Sequence, residues 1–143
     1  MNTVVKGRRS ELMVMAKLLE HGFNVFECVA DAEGIDCGVL DDNDTFYPIQ
    51  VKSRAEFNNG DIVSIRHIRK NMFVIIYEFT SHDYWIIPVA KYLSIARTFV
   101  DDGVKYYRLS KNKRNASLLE QHKGEKGIEV LKLFIRRRRG SRK

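Results

Sequence analysis

Gly34-Ile35-Asp36-Cys37-Gly38-Val39-Leu40 is followed by Asp41-Asp42-Asn43-Asp44 and then by Phe46-Tyr47-Pro48-Ile49-Gln50-Val51-Lys52-Ser53. The acidic cluster is a turn signal, and the segments on either side read as strands of a hairpin. Side chains two apart on a strand share a face. Ile35, Cys37 and Val39 therefore turn toward a buried face with Ile49 and Val51, and Asp36, Gln50 and Lys52 toward the opposite one. Counting outward from the turn, Leu40 falls opposite Phe46, and Asp36 opposite Gln50. The fold follows from this hairpin, because it makes two adjacent strands of a sheet and leaves apolar runs on both sides of them to be placed.

Upstream, residues 7–21 read as a helix whose apolar face carries Leu12, Met15, Ala16 and Leu19. Gly22 is its stop signal. A strand is expected over 24–29. Downstream, Ile62 to Arg66 is a short strand, and Met72 to Phe79 is an unbroken apolar run that suits a central strand buried on both faces. Tyr84 to Val89 follows, with Pro88 marking its end or a sheet edge. Ala90 to Val100 reads as a helix with Leu93, Ala96 and Phe99 or Val100 inward. Val104 to Leu109 is a late strand, and Asn115 is a candidate cap for a short helix through His122. Ile128 to Ile135 is apolar but does not separate helix from strand. The order predicts an α/β class, with a mixed central sheet flanked by helices.

The chain has 143 residues, 44% of them hydrophobic, which suits one domain. That domain is expected over 1–135, followed by a basic, flexible tail over 136–143. Six of the +7 formal charges lie in that tail, leaving +1 on the rest. The tail favours polyanions through counterion release, but it is a weak argument for the folded body. No apolar run reaches the roughly 20 residues of a membrane span, and the first residues lack signal-peptide architecture. Cys28 and Cys37 form neither a disulfide framework nor a metal pair, so a cytoplasmic, reducing location is the default. The four histidines show no zinc spacing. There is no phosphate-binding glycine loop and no Ser-His-Asp arrangement.

Asp36 offers a charged oxygen, Gln50 an amide oxygen and Lys52 an amine on one sheet face, with Glu11 on the first helix. A magnesium ion takes oxygen ligands and keeps several waters. Asp36, Gln50, the Val51 backbone carbonyl and Glu11, directly or through water, could supply them. Lys52 could orient or deprotonate a water, or offset charge on a phosphate. Manganese could substitute for magnesium. Each residue alone is ordinary, since a helix-edge glutamate or a strand lysine is usually just solvated. The signal lies in the conjunction.

Gly7-x-x-x-Glu11, Gly34-Ile35-Asp36 and Gln50-Val51-Lys52 together resemble the PD-(D/E)XK nuclease superfamily, most nearly archaeal Holliday-junction resolvases and compact intron-encoded homing endonucleases. The resemblance covers about the first 55 residues. It implies a restriction-endonuclease-like core and metal-dependent endonuclease activity on DNA, with Asp36 as metal ligand, Lys52 as catalytic lysine and Glu11 as helix carboxylate. Two departures stand out. Ile35 replaces the nominal proline, and Gln50 takes a place usually held by an acid, a variant that some members carry. Double-strand cleavage implies a homodimer or a higher symmetric oligomer. The alternative is a catalytically impaired DNA-binding module that keeps the fold. In either case Arg8, Arg9, Arg54, Arg66, His67, Arg69, Lys70 and tail residues Arg136, Arg137, Arg138 and Arg139 are the candidate DNA contacts. Lys111, Lys113 and Arg114 form a smaller basic cluster.

Overall fold

A computed structural model describes residues 2–141. Helix α1 (Thr3–Glu20) starts where the Asn2 side chain accepts the Val5 N–H at 2.9 Å. It ends in a Schellman motif. Gly22 takes φ +82°, its N–H reaches the Leu19 carbonyl, and the Phe23 N–H reaches Leu18. That cap ties Leu18 to Phe23, which packs into the same core, and so sets the rotation of the helix. The buried stripe is Ser10, Val14, Met15 and Leu18, while Leu12 and Leu19 are 48% and 58% exposed. The expected face of Leu12, Met15, Ala16 and Leu19 is thus wrong except for Met15. α1 is apolar on more than one side, and periodicity alone selects the wrong stripe. The correction matters for Glu11, which precedes Val14, Met15 and Leu18 by three, four and seven residues and so lies in the sheet-facing row.

Strands β1 (Asn24–Ala32), β2 (Ile35–Leu40) and β3 (Phe46–Arg54) are followed by β4 (Ile62–Ile65), β5 (Phe73–Glu78) and β6 (Tyr84–Pro88). The main sheet has the order β1-β2-β3-β5-β6. β3 and β5 are parallel and the other neighbours antiparallel, so the sheet is mixed. β5 lies between β3 and β6, so the middle strand is β3 and not β5 as its apolar run suggests, but β5 is buried on both faces as expected. Pro88 ends β6, which is the sheet edge.

The β2–β3 turn is held by one side chain. Asp41 Oδ1 accepts the Asn43 and Thr45 N–H groups at 2.8 and 2.9 Å, and Oδ2 accepts the Tyr47 hydroxyl at 2.9 Å. This anchors the register Leu40–Phe46, Val39–Tyr47, Cys37–Ile49. It is the expected register, and it puts Asp36 level with Gln50.

The second half departs from expectation. Helix α2 covers only Val89–Ile95, and residues 97–101 form strand β7 (Arg97–Asp101), not the second half of a helix. Asp102 and Gly103 take φ +49° and +75° in a two-residue turn. That conformation closes a hairpin and pairs β7 with β8 (Val104–Ser110). Thr98, Phe99 and Val100 are good strand residues, and they face outward, not inward. β4, β8 and β7 make a second, three-stranded sheet. Short helix α3 (Ala116–Gln121) starts at Asn115, whose side chain makes no cap bond and instead donates to the Ser110 carbonyl at 2.8 Å. Helix α4 (Glu125–Ser141) settles 128–135 as helical, and its backbone continues into the stretch expected to be a flexible tail.

α1 and α4 cover one face of the main sheet, burying Val14, Leu18, Ile128 and Leu131 on Cys37, Val39, Ile49 and Ile75. The other face, with Val74, Ile76, Trp85 and Ile87, lies under α2, α3 and the small sheet through Tyr92, Leu119, Val63 and Leu109. α4 docks at Gly127, where an added Cβ would meet the His122 carbonyl and sit 3.1 Å from Ile86 Cβ. Both neighbours are rigid. Gly127→Ala is expected to destabilise the fold by about 1–3 kcal/mol despite alanine's better helix propensity. Chemical denaturation measures it, and an unchanged or higher stability would refute the docking geometry.

Candidate active site

The β2–β3 ladder stops at Cys37–Ile49. Beyond it the Asp36 side chain takes over the hydrogen bonding, and Oδ2 accepts the Val51 N–H at 2.7 Å. The carboxylate is thus anchored at the point where the two strands part. Burial pushes the Asp36 carboxyl up to about 6. The Val51 N–H opposes that rise, the adjacent Glu11 carboxyl reinforces it, and the Lys52 ammonium opposes it. Burial also pulls Lys52 below the ordinary lysine range, against the attraction of Asp36 and helped by Arg54. Among the described residues no carboxylate stands within ion-pair distance of Lys52.

Gln50 and Lys52 lie level with Val74 and Ile76 of β5, on the sheet face opposite Ile49. Gln50 Oε1 is buried and has no hydrogen-bond partner. A buried acceptor without a donor costs free energy and calls for a water or a cation. Glu11 and Asp36 share an open cleft of about 360 Å³ with Arg8 and Glu27. Arg8 Nη1 is 3.1 Å from Glu11, and its other arm pairs with Glu27.

The structure therefore sets Asp36 in electrostatic contact with both Glu11 and Lys52, and places Gln50 and Lys52 together on the Val74 and Ile76 face. Gln50 and Lys52 do not line the Arg8–Glu11–Glu27–Asp36 cleft. No group of three or more His, Cys, Asp or Glu stands in metal-holding geometry among the described residues. The oxygens open to a hard cation are the two carboxylates of that cleft and, outside it, the unpartnered Gln50 oxygen. Burial pushes the Cys37 thiol up to about 12, which makes it an inert core residue.

The expected DNA-contacting rim divides. Arg54 donates to the Ser53 and Ile62 carbonyls at 2.8 and 2.9 Å, and Arg69 to the Glu33 carbonyl. These two arginines join segments of the fold, and Arg8 is held by Glu11 and Glu27. His67 packs on Gly34, whose φ of +74° belongs to the turn before Asp36, and lies 3.8 Å from the Glu33 carboxylate. Arg9, Arg66, Lys70 and Arg136 are exposed. The side chains of Arg137, Arg138 and Arg139 lie outside the described residues. Lys111 is also structural, with Nζ donating to the Phe57 carbonyl and lying 5.3 Å from the Phe57 and Trp85 rings.

Sequence reasoning missed Glu27. It is the Cα partner of Cys37, and it lies on the same face of β1 as Val25, which packs against the core. A lone acid two residues beyond Val25, on the same strand face, was the available signal.

No protein-family model matches the chain, and no curated protein does. Among solved structures it is similar to a bacterial homing endonuclease, I-Ssp6803I, with a TM-score of 0.59 and 17% identity over 100% of this chain and 99% of that one. At that identity the likeness establishes a shared fold along the whole length. No helix among the described residues is long and apolar enough to cross a membrane.

Proposed function

We propose that this protein is a metal-dependent DNA endonuclease of the PD-(D/E)XK type, hydrolysing phosphodiester bonds. The observation that carries the reading is the unpartnered Gln50 Oε1 on the face it shares with Lys52, next to the point where Asp36 is anchored and the strands part. The fold shared with a homing endonuclease supports it.

Asp36, Gln50 Oε1, the Val51 carbonyl and Glu11, directly or through water, would hold a magnesium ion, for which manganese can substitute. When bound, such an ion polarises a phosphate and acidifies a water. Lys52 holds its amine beside Asp36, where a lowered proton affinity lets it orient or deprotonate a water or offset charge on phosphate. Arg8 keeps Glu11 turned toward the cleft. Arg9, Arg66 and Lys70 contact the DNA backbone. Cleavage of both strands requires two such sites, hence a homodimer or a higher symmetric oligomer.

Nicking of supercoiled plasmid tests the reading. Cleavage is expected with magnesium or manganese and none with EDTA. Salt-sensitive DNA binding without cleavage under any metal would favour a binding module with an impaired site. Gln50→Glu adds a charge where the amide now sits. A unit charge about 4 Å away contributes on the order of 4 kcal/mol at an effective dielectric of 20, before desolvation. Magnesium affinity is expected to rise about tenfold, measured by calorimetric titration. Weaker binding by the variant would remove Gln50 from the ligand set.

A further inference from the structure

We infer that a second cleft, outside the candidate active site, seats backbone phosphates of duplex DNA on arginines from three separate segments. Arg97 opens β7, Arg108 lies on β8 and Arg114 lies in the loop before α3. Together with Ser110, Asn112 and Asn115 they line a space of about 350 Å³. No aspartate or glutamate lines it. None of the three arginines has an ion-pair partner among the described residues.

Arg97 and Arg108 are direct cross-strand partners. Side chains so paired have Cβ atoms about 5 Å apart, and like charges there destabilise the sheet. A phosphate between the two forks converts that repulsion into bidentate binding. Arg108 is also preorganised, since its guanidinium carbon lies over the exposed Phe99 ring, 3.6 Å from the centroid. It also lines the cleft.

Asn115 supplies an independent sign of a missing partner. It is 2% exposed, its Nδ2 is committed to the Ser110 carbonyl, and its Oδ1 has no donor. That buried acceptor is satisfied by a water that bridges to a bound phosphate. Three cationic forks from separate segments suit successive phosphates of a strand better than a lone anion. That the strand is duplex DNA rests on the proposed function; the anion chemistry does not.

The test is fluorescence anisotropy of a labelled duplex in EDTA over a series of salt concentrations, with no cleavage possible. The variant Arg97→Ala, Arg108→Ala, Arg114→Ala is expected to bind at least about tenfold more weakly, with a log–log salt slope shallower by about 2 to 3. Lys17→Ala, Lys126→Ala, Lys132→Ala removes as many charges elsewhere and is expected to lose far less. Should the triple arginine variant not fold, Arg97→Glu with Arg114→Glu leaves the Arg108–Phe99 stack intact and is expected to weaken binding in the same way. Natural affinity and slope in a folded arginine variant would overturn the proposal. So would stabilisation by millimolar inorganic phosphate that needs these arginines while DNA binding does not, since the cleft would then be a free-anion site. Absence of plasmid nicking, with cleft-dependent duplex binding intact, would overturn the nuclease reading and leave this one standing.

Discussion

Asp36→Asn is expected to lower plasmid nicking at least about a thousandfold and, in EDTA, to raise the melting temperature. The two effects have one cause. Asp36 is half-buried beside Glu11, so its ionised form is disfavoured in the folded protein, and the carboxyl rises from 3.8 to about 6. A rise of that size corresponds to roughly 3 kcal/mol. Partial exposure to solvent screens this to on the order of 1 to 2 kcal/mol. The sign follows from proton uptake. Between about pH 4 and 6 the folded state holds this proton more tightly than the unfolded chain, so stability falls as pH rises through that window, and the full cost is present at neutral pH. Asparagine keeps an oxygen for the Val51 N–H and removes the charge. The variant should therefore melt about 3–6 °C higher than the natural chain at neutral pH, with the gap closing below about pH 4. Circular dichroism at the two pH values reads this directly. A lower melting temperature at neutral pH would mean that Asp36 is a structural ligand of Val51 and not a strained functional carboxylate. Undiminished nicking would remove it from the chemistry altogether.

The hairpin is the part of the site that local sequence specifies. Asp41 and the polar turn set the register, and alternation then sorts Asp36, Gln50 and Lys52 from Cys37, Ile49 and Val51 without tertiary information. Glu11 was legible as a carboxylate on the first helix, but not the side of the helix it occupies. Its placement depends on the rotation of α1, decided by the Leu18–Phe23 cap and not by the broad apolar surface of the helix. The β7 misreading has the same origin. Three- and four-residue spacing in 90–100 fits a helix, but the left-handed turn at Asp102 and Gly103 and a partner strand seven residues on override it. The paired arginines of the second cleft become visible only once that hairpin exists. Arg54 and Arg69 look like surface cations in sequence because the carbonyls they bind belong to distant segments.

Lys52→Ala is expected to cut nicking by about 10²- to 10⁴-fold, the range for losing a positioned proton-transfer or charge-offsetting group. DNA binding in EDTA should stay within about twofold, because the amine is half-buried and lies off the exposed rim. Lys52→Met tests the energetics. It keeps the length of the side chain on the face shared with Val74 and Ile76 but carries no charge to desolvate, so it should be as inactive as alanine while melting no lower than the natural chain. Lys52→Arg separates the two chemical roles. A guanidinium keeps the charge and does not release a proton near neutral pH, so activity within about tenfold of the natural chain means that charge offset dominates. Loss comparable to alanine means that the amine must exchange a proton or fit closely. Nicking that survives in the alanine variant would leave the position a buried lysine with no catalytic purpose. The explanation of why this fold tolerates a desolvated amine at the parting of two strands would then fail with it.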